Sequence, residues 1–562
     1  MRDYNMLNEI KHYFLDLEEN GDAVFLVSYC DNDQRATVWQ TQAATCDKAW
    51  TKVSRYLTKF PIQPKWIKID KITNQTSVPK EIALRQIKGI DRNNYFADGV
   101  EMGAVHPLYI MPEELTANAL FVPHKNHILG KNRAQMSPNE RNIISYIQKR
   151  LKRKVLDSGN HIGNNWTLFK KKGVFIEGEN WYALETDFFG QGVRVIDQSN
   201  QFEHLEQAIL SGSNYLAQQL NADGSFVYGY FPAYHKKISG YNSVRHFSSL
   251  YALLEAYEYR QDPDLIEKIE TGLRWGIENL TINVNNRLFV VEKTKQGNEL
   301  KLGAQAMIIL ALSKYEEVTK DRFYHQVLLN FLEGIQAFIH DNGETCHILT
   351  DTLAPKEKFR IIYYDGEALF AIMRAYPLTG DKKWLDLGEK LMERFIRNGY
   401  EKYHDHWLSY SVNELTKYLP KRAYFAFGLK NALDNLRFIE RRDTAYPTML
   451  ELLVAAVKMV ERMESIEACQ GMITEKEKEE LQRVMEKRTI HELRTGTMWP
   501  ELAMYFAKPT TIVGGFYTRH DRCRMRIDDA EHFLSGMINY MNVHKGVKKD
   551  GTMDREIAAT AI

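Results

Sequence analysis

The chain is constrained above all by a grammar that returns with a period of roughly 60 residues: an outer-type helix, a short aromatic or β-branched piece, then a helix whose first turn is polar. Phe226 to Phe247 (FVYGYFPAYHKKISGYNSVRHF) is its first clear instance. Outer-type helices are expected at 203–220, 262–279, 322–340, 382–398 and 446–464, and helices of the second type from Tyr241, Lys301, Tyr363, Arg422 and Arg526. Between them lie Phe226 to Tyr230, Arg287 to Val291, Thr345 to Thr350, Trp407 to Val412 and Gly515 to Thr518, which read as short strands or extended loops. Neither helix of such a pair can bury its apolar face alone, so the pairs must close on one another as a toroid of helical hairpins. The charged run Glu475 to Arg488 reads as an exposed helix, and Pro500 interrupts Thr495 to Phe506, so five or six hairpins both fit.

Residues 1–200 follow different rules. Ala23 to Tyr29 and Ala36 to Gln40 read as strands around the turn Asp31-Asn32-Asp33, and Lys65 to Ile72 alternates with period two. A helix is expected from Ala43 to Leu57, a short one near Met111-Pro112-Glu113-Glu114, and another starting at Ser137-Pro138-Asn139-Glu140 with Ser137 as cap. The basic run Lys149 to Lys154 reads as a solvated face, and Phe169 to Leu184 as a hairpin turning at Glu177-Gly178-Glu179-Asn180. The expected organisation is an α+β N-terminal domain (1–200, role unassigned) followed by an all-α (α/α) toroid of helical hairpins (201–562) that carries the site.

Charge narrows the partners. With 74 Lys and Arg against 73 Asp and Glu, net +1, no global field argues for nucleic acid or an anionic membrane. No window approaches the ~18 apolar residues of a membrane span, and Cys30, Cys46, Cys346, Cys469 and Cys523 have no paired spacing. A cytoplasmic protein is expected, and the sequence does not speak to its oligomeric state. Aromatic residues make up 12% of the chain, a supply of the flat faces that stack on sugar rings. No phosphate loop, nucleophile elbow, HExxH helix or dinucleotide fingerprint is present, so no cofactor or metal is expected.

In a toroid the second-type helices begin at one end, where their first turns converge and their N–H groups favour negative charge. Those starts hold Tyr241, Arg245 and His246; Lys301 and Gln305; Tyr363, Tyr364, Asp365 and Glu367; Arg422 and Tyr424; and Arg526, Asp528, Asp529 and His532. Asp365 and Glu367 either cap their helix or act as a catalytic acid opposed by Asp528 or Asp529, the paired carboxylates that glycoside hydrolysis needs. Tyr228, Tyr230 and Trp499 are expected to line the cleft. Arg245 beside His246 offers a second chemistry, in which the guanidinium holds a substrate carboxylate while the imidazole moves a proton. Asp528 and His532 share a helix face, but no third metal ligand stands near them in sequence.

The hairpin period, with Tyr241 to Tyr257, Tyr363 to Gly380 (YYDGEALFAIMRAYPLTG) and Gly515 to His532, resembles the (α/α)-toroid superfamily over about 203–541. That superfamily includes six-hairpin glycosidases, sugar epimerases, polysaccharide lyases, terpenoid cyclases and lanthionine cyclases. Asp528-Asp529 is too little to carry over the Asp-rich motifs of the terpenoid cyclases, and Cys346-His347 with Cys523 too little for the zinc site of the lanthionine cyclases. The resemblance implies an enzyme acting on a carbohydrate or other small polar ligand, with a glycoside hydrolase favoured and a uronate epimerase or polysaccharide lyase next. The rival from another class is a noncatalytic carbohydrate-binding or scaffold protein, since fold does not dictate function.

Overall fold

A computed structural model describes residues 4–545 apart from 16–21, 32, 61–63, 91–95, 104–106, 126–133, 153, 155–162, 188–191 and 296. Asn32 of the expected turn and Arg153 of the basic run therefore lie outside the described residues. The chain divides into two compact units, 1–241 with 441–445 and 490–530, and 242–440 with 446–489 and the residues from 531 onward.

The first unit is built on an antiparallel sheet whose strands run in the spatial order Thr37–Ala43, Ala23–Cys30, Trp66–Pro79, Asn165–Glu177, Gly99–Glu101, Tyr109–Ile110. Asn180–Ala183 folds back on Asn165–Glu177 through Gly178, at φ +61°, which is the expected hairpin. The helices Tyr4–Leu15 and Cys46–Leu57 cover one face, placing Ile10, Phe14, Trp50 and Val53 against Phe25, Val27, Ile67 and Ile69. Period-two alternation from Lys65 to Ile72 is present, but beyond the exposed Lys65 its polar members are not solvated as alternation would suggest. Lys68 and Asp70 are wholly buried, with Lys68 Nζ 2.5 Å from Glu113 Oε1 and Lys171 Nζ 2.7 Å from Asp70 Oδ1 and 2.9 Å from Glu113 Oε1. Opposite charges held within hydrogen-bond reach let this second face be covered as well.

Glu113 comes from the expected short helix, Pro112–Ala117, whose Glu114 accepts a hydrogen bond from the Met111 N–H. The helix start expected at Ser137 needs correction. Ser137 and Pro138 pair with Val122 and Phe121 in a hairpin, and the cap is Asn139 ahead of Glu140–Leu151. Cross-strand pairing with a segment well upstream outcompetes a local cap signal. The segment 490–530 belongs to this unit because Arg35 donates to the carbonyls of Ala117 (2.6 Å), Tyr505 (2.9 Å) and Ala233, and the Ala36 N–H to Met504 O.

The second unit is a closed ring. Its inner helices are Ser243–Arg260, Leu302–Thr319, Tyr363–Thr379, His406–Leu415, Thr448–Glu464 and, from Glu531, the greater part of Ile527–Lys545. Each of the first four packs on the next. The sixth closes the ring: Ser535 and Asn539 donate to Glu255 of the first, and Lys458 of the fifth reaches Asn539 Oδ1 at 2.6 Å. The second inner helix, LGAQAMIILALSKYEEVT, is buried on every side from Leu302 to Glu316, as a helix apolar all round must be. The outer helices Pro263–Asn279, His325–Ile335, Lys382–Arg397 and Arg422–Leu433 back the first four, with a five-stranded antiparallel sheet (281–284, 287–294, 297–301, 348–350, 355–357) between hairpins. Among the described residues the toroid thus has six inner helices.

Two expectations about the ring are corrected. Trp407 to Val412, expected to be extended, is helical within His406–Leu415, because Asp405 accepts from the Leu408 N–H and tertiary burial overrides β-branched propensity. As a consequence the register shifts by one helix. Arg422–Leu433 is an outer helix and Thr448–Glu464, expected outside, is the fifth inner one.

Candidate active site

The shifted register brings three side chains of the second unit together at the N-terminal ends of the fourth, fifth and sixth inner helices. They are His406, Glu451 and His532, with one donor atom from each lying within 4.8 Å of the others. His532 Nδ1 is 2.8 Å from Glu451 Oε2, and His406 Nε2 is 3.9 Å from the same oxygen. The imidazole rings stand edge to face, 5.2 Å apart. Trp407, 6.3 Å from His532, and Tyr363, 5.4 Å from His406, flank them.

Each imidazole is held differently. Asp405, the cap of the fourth inner helix, lies 3.1 Å from His406 Nδ1 through Oδ2. A carboxylate there accepts the Nδ1 hydrogen, which leaves the Nε2 lone pair bare. His406 is 3% exposed, and its Nε2 has no hydrogen-bond partner among the described residues. His532 is more open, at 21%, and shares a hydrogen between its Nδ1 and Glu451. Burial pushes the Glu451 carboxyl up to about 8; His406 opposes the shift, while Glu255 and Asp405 add to it and a hydrogen bond from Tyr410 opposes it. A desolvated acid with a pKa near neutrality thus sits next to a bare nitrogen base, the combination that general acid–base catalysis uses.

Glu367 adds a second acid. It is 4% exposed, its Oε2 has no hydrogen-bond partner among the described residues, and burial first, then the charges of Asp405 and Asp365, raise its carboxyl to about 8. Gly303 makes room for it, since a Cβ there would lie 2.3 Å from Glu367 Oε2. The unfolded chain releases this proton near the ordinary 4.5, whereas the folded chain keeps it to about 8. Between those values the folded state binds the extra proton, so its contribution to stability falls as pH rises through the window and levels off above about 8. Glu367→Gln is therefore expected to gain stability relative to the unsubstituted protein from pH 5 to pH 8, by up to ~1.4 kcal/mol per pH unit. Parallel melting-temperature profiles of the two proteins over this range would contradict that assignment.

The other predicted residues are placed as follows. Asp365 is fully buried and accepts from Thr345 Oγ1 (2.5 Å) and Arg394 Nη1 (3.4 Å), with His347 Nε2 3.2 Å from its other oxygen. Tyr364 is half-buried, its ring 5.4 Å from that of His347. His246 is buried between Phe247 and Trp275 with Nε2 3.0 Å from Gly272 O, and burial lowers it to about 4. The Arg245 N–H donates to the cap Asn242, and the Tyr424 hydroxyl to Glu389 of the outer helix Lys382–Arg397. The structure brings Glu367 and His532 to the inner-helix ends that also carry His406 and Glu451, and it gives Asp365 and His246 partners of their own.

Tyr228, Tyr230, Tyr241, Trp499, Arg526, Asp528 and Asp529 belong to the first unit. There Tyr230 pairs with Met525 and stacks on His235, the Tyr241 hydroxyl accepts from the Phe226 N–H, and Tyr228 lies 6.4 Å from Tyr241 between ring centroids. Arg526 bridges Asp528 (2.9 Å) and Asp529 (3.3 Å), and Trp499 donates from Nε1 to Leu493 O beneath the Arg194 guanidinium.

Sequence reasoning missed His406, Asp405 and Glu451. Asp405-His406 stood just before a stretch with strand-like composition, and Glu451 in a helix assigned to the outside. The available signal was Glu451 as a lone acid in the apolar run TMLELLVAAV, since an outer helix would show a polar stripe.

Neither a family model nor a curated protein matches the sequence. Among solved structures, similar ones include a cellobiose 2-epimerase from Bacillus thermoamylovorans B4167, 12% identical, covering 61% of this chain and 98% of that one with a TM-score of 0.47. A D-mannose isomerase is 10% identical (62% and 98% covered, TM-score 0.45), and an unsaturated glucuronyl hydrolase specific for heparin is 10% identical (62% and 99%, TM-score 0.45). No described helix is long and apolar enough to cross a membrane.

Proposed function

We propose that the second unit is a carbohydrate-active enzyme that moves a proton at the carbon next to a sugar carbonyl, that is, an epimerase or aldose–ketose isomerase. The observation that carries this reading is the bare, buried Nε2 of His406 facing the Glu451–His532 pair. In the open-chain form of an aldose the C2–H is acidified by the C1 aldehyde. His406 takes that proton while Glu451 and His532 deliver one to the carbonyl oxygen, giving an enediol. When the enediol turns to present its other face to the His406 imidazolium, return of the proton to C2, as O1–H gives its proton back to the Glu451–His532 pair, yields the epimer. Return to C1, with the O2–H proton taken up by that pair, yields the ketose. Asp405 stabilises the imidazolium formed at His406, and Trp407 and Tyr363 offer apolar faces to a sugar.

A second reading, glycoside hydrolysis, is favoured by Glu367, a buried carboxyl that stays protonated to about 8 and has an oxygen available to a leaving group. One experiment separates the two. The protein is incubated in D2O with a panel of free aldoses and, separately, with disaccharides and unsaturated or uronate-containing oligosaccharides, and products are followed by proton NMR. The isomerase reading expects loss of the C2 proton signal from a free aldose. Release of reducing sugar without C2 exchange would replace it by the hydrolase, and inertness toward both panels would reject an active site built on His406.

A further inference from the structure

We infer that His406, Glu451 and His532 also form a binding site for one divalent transition-metal ion of the zinc class. Donor atoms around tetrahedral zinc, with bonds of ~2.0–2.1 Å, stand ~3.3 Å apart. Here the Glu451 Oε2 to His532 Nδ1 and to His406 Nε2 distances are 2.8 and 3.9 Å, either side of that spacing, and the three donors all lie within 4.8 Å of one another, so side-chain rotation brings them onto one ion. The donors come from three different helices of the ring, which fixes them more firmly than a loop would.

Two further features point to a ligand. His406 Nε2 belongs to a residue only 3% exposed and has no hydrogen-bond partner among the described residues, so its lone pair is already stripped of water. Its other nitrogen is held by Asp405, the outer carboxylate that orients and strengthens a metal-bound imidazole. The donor chemistry also selects the ion. Two imidazoles and one carboxylate suit zinc or its neighbours and are poor for calcium or magnesium, which demand mostly oxygen. Three protein ligands leave a fourth position open.

The ion uses the lone pair of His406 and the Nδ1 of His532, the atoms that the proposed proton transfer needs. A metal-loaded chain therefore cannot carry out that step, and zinc-class ions act on the site as inhibitors. The binding claim rests on the three side chains and not on the identity of the reaction, so the two can fail separately.

The test is calorimetric titration of the full chain, stripped with EDTA, with Zn2+ alone, repeated with Co2+ and read by visible absorption. Expected are one tight equivalent per chain and a four- or five-coordinate Co2+ spectrum without the sulfur charge-transfer band that the five buried cysteines would give. His532→Ala, at a partly exposed position, is expected to weaken binding at least about a hundredfold, and Asp405→Asn by about tenfold to a hundredfold. Glu451→Gln, of nearly the same shape, provides a second ligand deletion with a similar loss. Unchanged affinity in His532→Ala and Glu451→Gln, a sulfur band in the Co2+ spectrum, or no saturable equivalent of Zn2+ at all would overturn the site. Tight zinc binding that depends on His532 in a chain that exchanges no sugar proton would leave the metal site standing and remove the proposed reaction.

Discussion

Asparagine in place of His406 is expected to slow C2-proton exchange of the sugar by about a thousandfold, within the range that positioned acid–base groups contribute. The amide of asparagine can still donate to Asp405, so the hydrogen bond at 3.1 Å survives in kind while the basic nitrogen is gone. His532→Asn should produce a comparable loss by removing the partner of Glu451. Asp405→Asn is the informative companion. Asparagine caps a helix as well as aspartate does, so the Leu408 N–H keeps its acceptor and the fourth inner helix its start. What changes is the charge facing His406 Nδ1. The imidazolium loses its stabilisation and the tautomer its bias, so turnover should fall well over tenfold with little change in KM. Retention of exchange within threefold in His406→Asn would sink the assignment. A fall in melting temperature that tracks the loss of turnover across all three variants would make these residues structural.

Glu501→Ala is expected to destabilise the protein by about 3–5 kcal/mol, the largest stability effect among these substitutions. Arg194 and Glu501 of the first unit are 2% and 0% exposed and meet in a fork, Nε to Oε1 and Nη2 to Oε2 both at 2.9 Å, with the Arg194 N–H adding a third bond to Oε1. The guanidinium is sandwiched between Tyr182 and Trp499, 4.1 and 4.6 Å from their ring centroids. Removing the carboxylate leaves a charge in a desolvated slot with no means of escape, which costs far more than the pair itself contributes. Burial works to raise the Glu501 carboxyl, but Arg194 outweighs it and holds the group below its ordinary value. The pair's contribution is therefore complete above the ordinary carboxylate range and is lost as pH falls through the lowered value. Urea unfolding of Glu501→Ala measures the loss. The double variant Arg194→Met/Glu501→Leu should recover much of it, and a single variant no worse than the double would contradict the account.

Much of the architecture was legible locally. Inner helices such as LGAQAMIILALSKYEEVT lack a polar stripe, the outer Lys382–Arg397 has a clear one, and the hairpin at Gly178 follows from turn chemistry. The failures share one cause. At Ser137-Pro138 and at Trp407 to Val412 the local preference was read correctly, but long-range pairing or packing outweighed a preference worth about 1 kcal/mol. Misreading one helix then exchanged the next two assignments, Arg422–Leu433 and Thr448–Glu464, and with them residues expected at the ring's end, while the helix from Arg526 kept its inner place.

Periodicity and composition by themselves determined that this chain makes helical hairpins that must close on one another after an α+β segment, because an amphipathic face has to be buried whatever it is buried against. Only the tertiary structure decided which polar residues meet. Asp405, His406, Glu451 and His532 lie up to 127 residues apart along the chain. Their chemistry depends on distances of 2.8 to 3.9 Å and on desolvation. Neither is a property of any local stretch, and both arise when six helices close a ring and exclude water from its inner ends.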